Sequence, residues 1–145
     1  MTTELNILEE IVLRITNDLD IINARREVRA ISFKLGFSAT EQTLIATAIS
    51  ELARNILKYA GEGEIGVRVP SHTAKITISA TDKGPGIKNL ELAMQDGYSS
   101  SGSLGLGLSG VKRIMDEFEI KSEVGKGTKV VASKSRMGNA EWRYK

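Results

Sequence analysis

Cysteine is absent from this 145-residue chain. Disulfides and thiolate metal sites are therefore excluded, and a reducing cytosol is the compartment such a sequence fits. Histidine occurs once, as His72, in the turn-like stretch Pro70-Ser71-His72-Thr73. No Ser/His/Asp triad and no metal–histidine cluster can be assembled around it. No apolar run approaches the ~20 residues of a membrane-spanning helix. The first ten residues carry acidic side chains and lack the basic region and long apolar run of a signal peptide. Charge is nearly balanced, with 20 Lys+Arg against 18 Asp+Glu and a net charge of +2, so nothing argues for nucleic acid. The phosphate-binding pattern G-x-x-x-x-G-K-[ST] and the H-R-D catalytic loop of protein kinases are both missing.

What is present suits a globular chain: 41% hydrophobic and 26% charged residues. The length fits one core, so residues 1–136 are read as a single domain and 137–145 as a tail. Residues 11–16 alternate Ile11, Leu13 and Ile15 with Val12, Arg14 and Thr16, which predicts a strand. A helix capped by Asp18 or Asp20 follows, with Ile21, Ile22, Val28, Ile31 and Leu35 on or near one face, and Gly36 ends it. Ser38-Ala-Thr-Glu41 is a capping box opening a second helix to about Ala60, with its apolar stripe from Leu44 to Leu57. Strands are predicted at 66–69 and 75–81, short helical segments at 90–95 and 106–118, and a closing strand pair at 119–124 and 128–133. This β-α-α-β-β-α-α-β-β order predicts an α+β, two-layer α/β sandwich: a mostly antiparallel sheet with helices on one face.

Four groups of residues carry chemistry. Glu51 and Asn55 stand four apart on the second helix and share a face, with Lys58 one turn on. A carboxylate, an amide oxygen and an ammonium in one column suit Mg²⁺ and phosphate, although such polar pairs also stabilise ordinary helices. Asp82-Lys-Gly84-Pro-Gly86 leaves a strand end, where a carboxylate can accept from the exocyclic amine of adenine and glycines admit a flat ring. Gly102-Ser-Leu-Gly105-Leu106-Gly107-Leu leads into a helix, whose first N–H groups favour anions. Gly125-Lys-Gly127-Thr128 reads by itself as a hairpin turn. Gly105-Leu-Gly107-Leu-Ser-Gly110 also fits the dinucleotide pattern G-x-G-x-x-G, but no strand precedes it, so that reading fails.

Taken in order, these four boxes resemble the nucleotide-binding (Bergerat-type) fold shared by gyrase, Hsp90, histidine kinases and MutL, over roughly residues 10–135. Ala48-Ile-Ser-Glu-Leu-Ala-Arg-Asn-Ile56 and the stretch from Asp96 to Phe118 look most like the anti-sigma-factor type serine/threonine kinases, in particular the stressosome switch kinases. Ser109 departs from the proline often found there. The resemblance implies ATP and Mg²⁺ as cofactors, Asn55 as metal ligand and Glu51 as the catalytic acidic residue. It implies Asp82, with Gly84 and Gly86, at adenine, and Thr128 in support. It implies Gly102, Gly105, Leu106 and Gly107 at phosphate and residues 87–101 as a short lid; from its own composition, rich in glycine and serine with almost no apolar anchors, 96–104 is expected to be mobile until nucleotide binds. The implied substrate is a serine or threonine on a small antagonist of the scaffold type, and the released kinase would activate a downstream phosphatase. An anti-sigma factor that sequesters a sigma subunit is the alternative. An ATP-driven clamp ranks last, since it needs a transducer domain. Neither nucleic acid nor membrane is an expected partner, and self-association is left open between monomer and homodimer.

Overall fold

Each strand splits its side chains into a row that faces the helices and a row that faces solvent, and the core is built from the first row. The computed structural model describes residues 9–69, 74–95 and 107–136. In chain order the elements are β1 (Glu9–Ile15), α1 (Asp18–Lys34), α2 (Ala39–Tyr59), β2 (Gly63–Val69), β3 (Lys75–Asp82), α3 (Leu90–Ala93), α4 (Gly107–Ile114), β4 (Glu117–Glu123) and β5 (Gly127–Ser135). The sheet order is β1-β2-β3-β5-β4, and every neighbouring pair is antiparallel. The expected α+β sandwich and its element order are what the chain adopts.

The long helix α2 lies at the centre of the core. Ile45, Ala48, Ile49, Leu52 and Ile56 are buried against Ile65, Val67, Ile76, Ile78 and Ala80 of β2 and β3. Its capping box forms as expected: the Glu41 N–H donates to Ser38 Oγ at 3.1 Å, and the Ser38 N–H donates to Glu41 Oε1 at 2.8 Å. Helix α1 packs on α2 and covers the β1 end of the sheet. Helix α4 packs on α2 from the other side.

Four local expectations change. Helix α1 is capped by Asn17, whose Oδ1 accepts from the Asp20 N–H at 3.1 Å. Asp20 instead turns back to accept from the Thr16 N–H and hydroxyl at 2.7 and 2.8 Å. Ile22 is 51% exposed and does not share the buried face of Ile21, Val28 and Ile31. Strand β2 begins at Gly63, because that residue pairs with both Ile15 and Asp82. Helix α4 stops at Ile114 and does not reach Phe118, which is a β4 residue paired with Ala132. The chain leaves the helix because the Asp116 N–H donates to the Ser133 carbonyl at 2.8 Å and so joins the sheet. The turn holding His72, the segment 96–106 with its expected mobility, and the tail 137–145 lie outside the described residues.

Candidate functional site

The register between β3 and β5 brings two distant parts of the sequence together. Asp82 pairs with Thr128, and Thr128 pairs in turn with Ser122 of β4. The side chains of Asp82 and Thr128 border a cleft between the sheet and α2. Its inner part is a slot with a cavity volume of about 20 Å³ and Leu52, Ile56, Ala80, Leu108 and Val130 as apolar walls. The polar side chains there are Asn55, Tyr59, Asp82 and Thr128. An outer part of about 290 Å³ opens between α2, α3 and the start of α4, lined by Tyr59, Gly86, Ile87, Asn89 and Gly107 among others. Asn55, Tyr59, Ile87 and Leu108 border both. A narrow apolar slot with one carboxylate, continuous with a wider cavity at a helix start, offers the groups that a flat base and a trailing anion require, and the slot must widen to admit the base.

Asp82 is held by its own loop: Oδ1 accepts from the Gly84 N–H at 2.9 Å. Glycine at 84 answers to the protein itself, since a Cβ there would lie 2.6 Å from the Ala60 Cβ and 2.9 Å from its Cα. Gly86 adopts φ +80, and a side chain would strike the backbone of Glu123 and Val124. Both glycines therefore dock the Asp82 loop against the end of α2 and the β4–β5 turn, and the close approach that requires them is protein on protein. Thr128 is fixed through Ser122, whose Oγ lies 2.8 Å from Thr128 Oγ1 and accepts from the Ile87 N–H at 2.7 Å.

Glu51 is nearly buried, with an 11% exposed side chain. Its two oxygens are divided: Oε2 accepts from Arg54 Nη1 at 2.9 Å, and Oε1 accepts from the Gly107 N–H at the start of α4 at 3.2 Å. Asn55, one turn later, has a different character. Its Nδ2 is buried and has no hydrogen-bond partner among the described residues. A buried amide with nothing to bind is rare in native proteins and marks a place where a ligand completes the pairing. Lys58 is not brought to the cleft: it is exposed, and its ammonium sits 5.3 Å from the centre of the Tyr59 ring. Gly102, Gly105 and Leu106 lie outside the described residues. No group of three or more His, Cys, Asp or Glu side chains among the described residues could hold a metal ion by itself.

Sequence reasoning passed over Arg54, Ser122 and Tyr59. Arg54 was within reach, being three residues from Glu51 on the same helix. Ser122 was not, because its role depends on strand register.

Comparisons with known proteins bear on the chain as a whole. The profile of the histidine kinase-, DNA gyrase B- and HSP90-like ATPases matches residues 40–136. The chain belongs to that ATPase family. The serine/threonine-protein kinase RsbT of Bacillus subtilis is 48% identical over 124 residues, covering 84% of this chain and 93% of RsbT. The anti-sigma F factor of Clostridium beijerinckii is 35% identical over 118 residues, covering 77% of this chain and 82% of that one. Among solved structures, that of the RsbU and RsbW domains of a Mycobacterium tuberculosis protein superposes with a TM-score of 0.60 at 16% identity. It covers 86% of this chain, which spans only 32% of that longer one. The mycobacterial sensor histidine kinase MprB follows, with a TM-score of 0.53 at 21% identity over 90% of this chain and 99% of that one. At such identities these structures establish the shared ATPase fold. Within the family, this ATPase-fold chain stands with serine/threonine-protein kinases of the RsbT kind.

Proposed function

We propose that the protein is an ATP-dependent serine/threonine kinase acting as a partner switch in bacterial stress signalling. It phosphorylates an antagonist or scaffold protein in the cytoplasm and, once released, binds and activates a downstream phosphatase. The observation that carries the ATP site is the orphaned Asn55 amide at the junction of the two cleft parts, one helical turn from the Glu51 carboxylate. Identity with RsbT, higher than with the anti-sigma F factor, favours the kinase switch over the sigma-sequestering alternative.

In this reading Asp82 receives the exocyclic amine of adenine in the apolar slot, supported by Thr128. The start of α4 offers its N–H groups to the phosphates. Asn55, with its amide turned oxygen-inward, would hold Mg²⁺, which supplies charge neutralisation on the phosphate oxygens. The unpaired Nδ2 donor fits an acceptor oxygen of the nucleotide, and only with the amide rotated would Oδ1 give one ligand to a metal that keeps the rest from nucleotide and water. Glu51 accepts the proton of the attacking hydroxyl. That hydroxyl oxygen forms a bond to the γ-phosphorus, the bond from phosphorus to the bridging oxygen breaks, and ADP departs. Arg54 keeps the carboxylate oriented throughout. Phosphate that competes for the Gly107 N–H frees Oε1 for this work.

The test uses labelled ATP and candidate antagonist proteins. Glu51→Gln is expected to bind ATP within a few-fold of wild type and to lower transfer by roughly 10²–10⁴. The product should be acid-stable, as phosphoserine or phosphothreonine is. An acid-labile product, or full transfer by the variant, overturns the reading. Retention of a sigma subunit in place of a scaffold or phosphatase would support the anti-sigma alternative.

A further inference from the structure

Helix α1 has two apolar stripes, and the core uses only one. Ile21, Ala24, Val28 and Ile31 are buried against α2 and the sheet. On the opposite side Leu19, Ile22 and Phe33 are 68%, 51% and 71% exposed. At 100° per residue, Leu19, Ile22, Arg26, Arg29 and Phe33 fall within an arc of about 80°, some 160° from the centre of the buried stripe. Scattered exposed apolar residues need no explanation, but three aligned on one face of one helix over about 21 Å do. The two arginines between them are exposed, and neither has an ion-pair partner among the described residues.

From this arrangement we infer that the outer face of α1 is a protein-docking surface whose occupant is an amphipathic helix of a partner, with apolar residues flanked by aspartates or glutamates. Charge complementarity selects that chemistry. Leu19 and Ile22 at one end and Phe33 at the other take apolar side chains, while Arg26 and Arg29 meet carboxylates. Arginine suits this role because its guanidinium engages a carboxylate bidentately and is weakly hydrated. The inference deepens the partner-switch reading by giving that switch a contact surface. No residue of the stripe lines the nucleotide cleft, so docking and catalysis separate experimentally.

The test uses the full chain and two fluorescein-labelled, lactam-stapled 18-residue helical peptides. Both carry leucines along one face; one carries glutamates beside them and the other lysines. Fluorescence anisotropy reads affinity, and no ATP is needed, so the result stands whether or not transfer is observed. Wild type is expected to bind the acidic peptide at least tenfold more tightly than the basic one. Arg26→Glu/Arg29→Glu should invert that preference, and Leu19→Ala/Phe33→Ala should weaken the acidic peptide at least tenfold. Since all four side chains are exposed, circular dichroism should show both variants folded, with ATP affinity unchanged. Equal affinity for both peptides, binding of neither, or an unchanged preference in the charge-reversed variant overturns the inference. So does sedimentation showing wild type to be a dimer that the variants dissolve, because a second copy would then be the occupant.

Discussion

Asn55 and Glu51 lie on one helix face within one turn, yet their surroundings are opposite. Glu51 has a partner for each oxygen, whereas Asn55 has a buried Nδ2 with none among the described residues. An unpaired buried polar group costs about 1–3 kcal/mol, which a ligand recovers. Replacing Asn55 by alanine removes both that cost and the metal's oxygen ligand while keeping a good helix former. The apo protein should therefore hold its stability, or gain a little, while Mg·ATP affinity falls at least tenfold. Isothermal calorimetry and thermal unfolding of Asn55→Ala check both halves. Unchanged Mg·ATP affinity would reject the assignment, and a large loss of apo stability would show the amide to be structural. Lys58 marks the limit of the column argument: helical spacing set it near Asn55, but its ammonium rests over Tyr59.

Helix α4 is only eight residues long and has to be held at both ends. At its start the Gly107 N–H meets Glu51. At its end Lys134 of β5, with an 8% exposed side chain, donates to the Ile114 carbonyl at 3.0 Å and lies 3.7 Å from Asp116 Oδ1. A cation there satisfies a terminal carbonyl and opposes the negative end of the helix dipole. Lys134→Met keeps the apolar stem and deletes the charge, leaving the carbonyl unpaired. The expected loss is about 1–3 kcal/mol, read as a lowered urea midpoint. An unchanged midpoint would mean that α4 is held by its buried residues Leu108 and Val111 alone.

Acid should act on the whole molecule through exposed carboxylates rather than through the core. Hydrogen bonds from the Thr16 backbone and hydroxyl hold Asp20 below its ordinary 3.8, and the Lys75 hydrogen bond and charge hold Glu117 below 4.5. A group whose folded pKa is lowered stabilises above its unfolded value and loses that contribution as pH falls through the folded one. The fold should thus keep these contributions at neutral pH and shed them as pH drops below 4.5 and then 3.8. Urea midpoints at pH 7 and pH 3 should show a smaller drop for Asp20→Asn/Glu117→Gln than for wild type; an equal drop would place the acid sensitivity elsewhere. The element order, the capping box at Ser38, the α2 stripe and the positions of Glu51, Asn55 and Asp82 were legible in the sequence. Each rests on neighbours three or four residues apart, or on strand alternation, and local sterics and hydrogen bonding decide such features. The end of α4, the opening of β2 at Gly63, the exposure of Ile22 and the purpose of Gly84 were not legible. Nor were the Ser122–Thr128 contact and the pairing of Asp82 with Thr128. All of these depend on which strand lies beside which, in what register, and on what packs across the gap. Long-range pairing sets those relations, and no short window of residues contains the free energy that selects them.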